Sequence, residues 1–215
     1  MQQKHRVASM KTALLTKSRE AALNAVQTFN NPLVHFKSET YIVLMVIAWT
    51  YLLHAYFRSQ GIEYRYYDVR NGRRRFQRTK TGAYKYWELE RCLNERWCPV
   101  DRDTVNNLHF LIGLRHEIEH QMCLGLDTHL SGRYQACSLN YNAYIQRLFG
   151  VKYGLDENLT YSIQFAELTR EQVLPGKAEV SLPKRLKSYI VQFDGALTEA
   201  EYKQPSLLLS SAVHP

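Results

Sequence analysis

Apolar residues recur at helical spacing along most of the chain. Between residues 8 and 29, Leu14, Leu15, Ala22, Leu23, Val26 and Phe29 follow a 3.6-residue repeat, which predicts an amphipathic helix ended by "NNP" at 30–32. "KSET" then starts a second helix, with Ser38 as its expected N-cap and Gly61 closing it. Its centre, Tyr41 to Phe57, is apolar on nearly every side, interrupted chiefly by Thr50 and His54. The run is short of the ~20 residues that a membrane span needs, and all-round apolarity is equally what a bundle centre or a dimer seam requires. The expectation is therefore a core helix, with His54 a core or interface histidine and no membrane partner.

The pattern then changes period. Residues 62–69 and 73–78 alternate like strands around Asn71-Gly72, the pair that a two-residue hairpin turn favours because both positions need positive φ. A short third helix is expected over 86–96. A long fourth one follows Pro99, capped by Asp101 or Asp103, striped by Val105, Leu108, Leu111, Ile112, Leu114 and Ile118, and ended by Gly125. A fifth is expected through "YQACSLNYNAYIQRLFG", ending at Gly150. Beyond it, 159–168 alternates like a strand and 182–193 reads as a short amphipathic helix. The fold class expected is mainly α: a bundle of about five helices over residues 8–150, an inserted basic β-hairpin at 61–85, and a small mixed appendage at 151–215. That appendage reads either as a tail or as the start of a longer chain.

Composition is that of a globular chain, 45% hydrophobic and 22% charged, but 28 basic residues against 20 acidic ones leave +8. That excess is concentrated. From Arg65 to Lys85 there are eight basic residues, Arg65, Arg70, Arg73, Arg74, Arg75, Arg78, Lys80 and Lys85, against Asp68 alone, a local charge of +7. Clustered cations are the footprint of phosphate binding. Tyr64, Tyr66, Tyr67, Phe76 and Tyr84 are interleaved with them, and aromatic faces stack unpaired bases. The alternative is a solvated edge hairpin whose arginines block edge-to-edge pairing. Four cysteines without a C-x-x-C pair, and an N-terminus without a long apolar region, point to reduced thiols in the cytoplasm.

The fourth helix carries the chemistry. "RHEIEH" at 115–120 fits two patterns. His116-Glu117-x-x-His120 spells a zinc-peptidase helix, with Glu117 as general base. Cys123 and Leu126 stand where the metzincin continuation needs Gly and His, and Arg115 adjoins a presumptive zinc ligand, so this reading has no clear third ligand. No cofactor is therefore expected. Arg115-x4-His120 spells instead a metal-independent RNA-cleaving helix. A solvated stripe on an amphipathic helix would account for the same letters.

Arg115, the polar His116 and His120, late in an apolar helix of an all-α bundle, resemble the HEPN (higher eukaryotes and prokaryotes nucleotide-binding) superfamily. The resemblance spans roughly residues 8–150, and is nearest to an uncharacterised branch with a hairpin between its second and third helices. It implies an endoribonuclease that uses the RNA's own 2′-OH and leaves a 2′,3′-cyclic phosphate. Arg115 would hold the phosphate, His120 would transfer protons, and His116 and Glu119 would lie near the site. Such chemistry suits a guanidinium that never loses its charge and an imidazole that titrates near neutrality. Arg115 and His120 lie about 140° apart around an ideal helix, at ~100° per residue. The resemblance implies that a homodimer solves this by joining two motif helices in one composite site. It also implies a toxin–antitoxin or phage-defence role, with an antitoxin or a defence protein as a further partner beside RNA. Asn106, Asn107 and His109, about two turns earlier, are candidates to line the same cleft.

Overall fold

The computed structural model describes residues 2–118, 126–159, 182–202 and 204. Glu119 and His120 of the motif, Cys123, Gly125, residues 160–168 of the expected strand and almost all of the C-terminal stretch lie outside these residues.

Helix α1 (Gln2–Asn30) and helix α2 (Lys37–Ser59) form a helical hairpin, joined by residues 31–36. Strands β1 (Tyr67–Arg70) and β2 (Arg73–Phe76) follow, then helices α3 (Leu89–Leu93), α4 (Arg102–Ile118) and α5 (Leu126–Phe149). A 3₁₀ turn (Val151–Tyr153) and helix α6 (Asp156–Leu159) lead out of α5. Helices α7 (Lys184–Gly195) and α8 (Glu199–Tyr202) complete the described elements. The fold is mainly α with a two-stranded β-hairpin, as the hydrophobic pattern predicts.

Helix α2 is the centre, packed by α1, α3, α4 and α5. It is long and apolar enough to cross a membrane by composition, yet 61% of its most apolar window is buried inside the protein. Trp49, Tyr41, Leu52, Leu53 and Phe57 are fully covered. Two sets of polar atoms that enter this core are paired with one another across helices, which offsets the cost of burying them. The Tyr41 hydroxyl donates to the Tyr134 carbonyl at 2.6 Å and meets Ser138 Oγ at 2.7 Å, tying α2 to α5. Ser18 Oγ donates to the Ala48 carbonyl at 2.6 Å and meets the Tyr141 hydroxyl at 2.7 Å, joining α1, α2 and α5.

Several ends follow the residues read as signals. Asp101 caps α4, its Oδ1 accepting from the Thr104 amide at 2.9 Å. Gly61 at φ 70° and Gly150 at φ 104° follow α2 and α5. Two expectations need correction. Ser38 is not the N-cap of α2: the cap position is Phe36, and Ser38 is buried inside the helix. Helix α3 is only five residues long, because Tyr86 and Trp87 are drawn into pairing with the hairpin root.

The helix expected at 182–193 forms over Lys184–Gly195, and it does not hang free of the bundle. α7 packs on α4. The Tyr189 hydroxyl donates to the Phe110 carbonyl at 2.8 Å, and its ring stacks on Phe110 at 5.6 Å. Asp194 pairs with Arg133 of α5, whose side chain is 4% exposed and lies over the Phe110 ring at 3.9 Å. Arg185 Nε meets Glu117 Oε2 at 2.7 Å.

A cleft at the motif helix and the root of the basic hairpin

Three helices present one stripe each to a cleft of about 600 Å³. From α1 come Met10, Leu14 and Lys17, and from α2 come Val46, Ile47, Thr50, Tyr51 and His54. From α4 come Ile112, Arg115 and His116, at i, i+3 and i+4. The remaining wall is the root of the hairpin, Tyr64, Tyr86 and Trp87, followed by Glu88, Leu89 and Glu90 at the start of α3. Arg115 is half-buried and His116 exposed in this wall. The first two letters of the motif thus face the cleft. Glu117 does not: its carboxylate is paired with Arg185 on the α7 side. That pairing engages the residue that the zinc-peptidase reading takes as general base, while His120, the second histidine of that reading, lies outside the described residues. Asn107, a candidate lining residue, is buried and donates from Nδ2 to the Arg133 carbonyl at 3.3 Å; it is not in the cleft.

His54 is 5% exposed. Its Nε2 lies 2.7 Å from the Trp87 carbonyl, which can only accept, so Nε2 carries the hydrogen and Nδ1 is left as an acceptor. Burial pushes its pKa down to about 4, against a smaller opposing effect of that hydrogen bond, so the ring is neutral at physiological pH. It stacks on Tyr64 at 4.6 Å, and Tyr86 lies 5.5 Å from Tyr64. Tyr86 is the open member of this trio, at 48% exposure. Lys17 Nζ stands 5.6 Å from the Tyr51 ring centre.

The hairpin projects from the same root. Asn71 at φ 51° and Gly72 at φ 70° make its turn, with Arg70 opposite Arg73 and Tyr67 opposite Phe76. At its base three extended segments meet in a closed ring of backbone hydrogen bonds. The Gln77 amide donates to the Tyr66 carbonyl at 2.8 Å, Tyr66 to Lys85 at 2.9 Å, and Lys85 to Gln77 at 3.0 Å. Arg70, Arg73, Arg75, Lys80 and Lys85 are exposed. Arg65 is engaged: Nη2 pairs with Glu63 Oε2 at 2.7 Å and its plane covers Phe76 at 3.9 Å, while that same bond holds the Glu63 carboxyl below its usual range. Counting Glu63, the segment carries +6 rather than +7. Arg78 is braced by the Gly82 carbonyl and the Tyr84 hydroxyl, and Arg74 lies over Tyr67 at 4.7 Å. Much of the aromatic surface expected to meet bases is therefore occupied. Tyr67, Phe76 and Tyr84 back the arginines and one another, and Tyr66 donates to both Glu88 oxygens at 2.8 Å. Burial and this bond push the Tyr66 hydroxyl up to about 12.

Lys17, Tyr51, Tyr86, Glu88 and Glu90 are cleft residues that the sequence did not single out. Tyr86, Glu88 and Glu90 were hidden by their assignment to a helix, Lys17 by lying on the polar face of an amphipathic one, and Tyr51 by belonging to an apolar run read as core. Neither curated proteins nor solved structures yield a match to this chain. A protein-family model described as "Domain of unknown function (DUF3644)" matches residues 13–197, a span that includes the bundle, the hairpin and α7. The chain belongs to that family.

Proposed function

We propose that this protein is a metal-independent endoribonuclease of the HEPN type, acting at the cleft where Arg115 and His116 meet the root of the basic hairpin. That juxtaposition is the observation that carries the reading, since it puts a fixed cation and an imidazole beside the root of a cationic hairpin. Exposed Arg70, Arg73, Arg75, Lys80 and Lys85 hold the RNA backbone, and Arg115 and Lys17 receive the phosphate in the cleft. A histidine removes the proton from the 2′-OH as its oxygen bonds to phosphorus. The bond to the 5′ oxygen breaks, and that oxygen takes a proton back. The products are a 2′,3′-cyclic phosphate and a 5′-hydroxyl. His120 is assigned the proton transfer, because an imidazole can exchange protons near neutral pH. Glu119 and His116 support it. The site is completed by a second copy of the chain, and the protein works in the cytoplasm within a toxin–antitoxin or phage-defence system, with an antitoxin or defence protein as partner.

A second reading rests on the hairpin alone. Its exposed cations would bind nucleic acid even where the cleft does no chemistry, making the protein a non-catalytic binding module. Labelled RNA incubated with purified protein in EDTA separates the two. The nuclease gives products ending in cyclic phosphate, lost in Arg115→Ala and His120→Ala. Salt-dependent binding with no product assigns the binding module instead.

A further inference from the structure

The cleft is larger and more aromatic than a phosphate needs. At about 600 Å³ it lies within the range of small-molecule sites, ~300–1,000 Å³. Its apolar wall is built by Met10, Leu14, Val46, Ile47 and Ile112. Tyr86 offers an exposed ring there, and Tyr51 a half-buried one. Cations and acceptors are both present: Lys17 and Arg115 line the site, as do Glu90 and Glu88, whose oxygens accept from the Tyr66 hydroxyl and keep further lone pairs. His54 adds a ring that is neutral and whose Nδ1 only accepts. Carboxylates accept hydrogen bonds and donate none. A ligand matched to this lining carries a flat ring, N–H donors along one edge, and an anionic group.

We infer that the cleft seats one unstacked base of the RNA, a guanine, on Tyr86 and Tyr51, with its N1–H and N2–H₂ edge toward Glu88 and Glu90 and the adjoining phosphate at Arg115. The assignment of RNA as the ligand's source rests on the ribonuclease reading; the base seat itself rests on the lining. A uracil presents one N–H flanked by two carbonyls, which face carboxylates unfavourably. The site therefore makes the enzyme selective for guanine beside the cleaved bond.

Titration of the full chain with 5′-GMP, 5′-UMP and inorganic phosphate by calorimetry tests this without needing cleavage. Expected are saturable 5′-GMP binding at least tenfold tighter than 5′-UMP or phosphate, and a loss of about tenfold or more in Tyr86→Ala with recovery in Tyr86→Phe. Glu88→Gln combined with Glu90→Gln should erase the preference for 5′-GMP while leaving phosphate binding in place. No saturable 5′-GMP binding, or equal binding of 5′-GMP and phosphate, or indifference to Tyr86→Ala, overturns the base seat. Absence of RNA cleavage with 5′-GMP binding intact sinks the ribonuclease reading and leaves the seat standing. Cleavage without base preference does the reverse.

Discussion

Replacing Gly113 by alanine should destabilise the protein, although alanine is the better helix former. Gly113 lies in the middle of α4, where alanine ordinarily gains ~0.5–1 kcal/mol over glycine. Here a Cβ would come within 2.7 Å of Tyr189 Cζ and 2.9 Å of Cε2, and nearer still to the hydroxyl. The ring cannot yield cheaply, because it stacks on Phe110 and its hydroxyl donates to the Phe110 carbonyl at 2.8 Å. Overpacking of this kind costs ~1–3 kcal/mol, and losing the hydrogen bond adds ~1 kcal/mol. After subtracting the helix gain, the net loss is about 1–3 kcal/mol, which for a chain of this size lowers Tm by roughly 2–4 °C per kcal/mol. Thermal and urea unfolding of Gly113→Ala measure it. The double variant with Tyr189→Ala should show a coupling of about 1–2 kcal/mol, since the clash is gone once the ring is removed. A Gly113→Ala protein that melts at or above the wild-type temperature would refute the docking of α7 against the motif helix.

Asp194→Ala should cost ~3–5 kcal/mol, because it leaves the buried Arg133 guanidinium without its carboxylate, and Asp194→Ala with Arg133→Ala should cost less than the sum, both read from denaturant unfolding. His54 sets an acid limit. Its folded pKa of about 4 lies below the unfolded value of ~6.5, so the unfolded chain binds the proton first, and stability is complete above pH ~6.5 and falls as pH drops toward 4. The loss approaches ~3 kcal/mol, and His54→Gln should flatten the profile of urea midpoint against pH in that window. Changing Arg70, Arg73 and Arg75 together to glutamine should weaken RNA binding at low salt and reduce the slope of log K against log salt by about 0.7 per lost single-strand phosphate contact, with Tm unchanged.

The long helices and the Asn71-Gly72 hairpin were legible because each is dictated by local periodicity or by a turn that only certain residues accept. Boundaries set by tertiary contact were not. Trp87 reads as part of a helix from the pattern around it, yet its amide donates to the Tyr64 carbonyl and its own carbonyl receives His54, so long-range pairing sets the boundary. Arg115 and His116 were legible as candidates from their types and spacing, and both line the cleft. Their neighbours Lys17, Tyr51 and Tyr86 come from three different elements, and no spacing along the chain could announce that convergence. Glu117 shows the converse: a motif letter that spells a general base turns out to be an anchor for Arg185.

Incubation of the purified chain with labelled single-stranded RNA in EDTA, comparing wild type with Arg115→Ala and His120→Ala, tests the central claim most directly. The account predicts products ending in 2′,3′-cyclic phosphate from the wild type, and their loss in both variants at unchanged Tm. Intact RNA from the wild type across diverse sequences, or cleavage indifferent to Arg115→Ala, would contradict it.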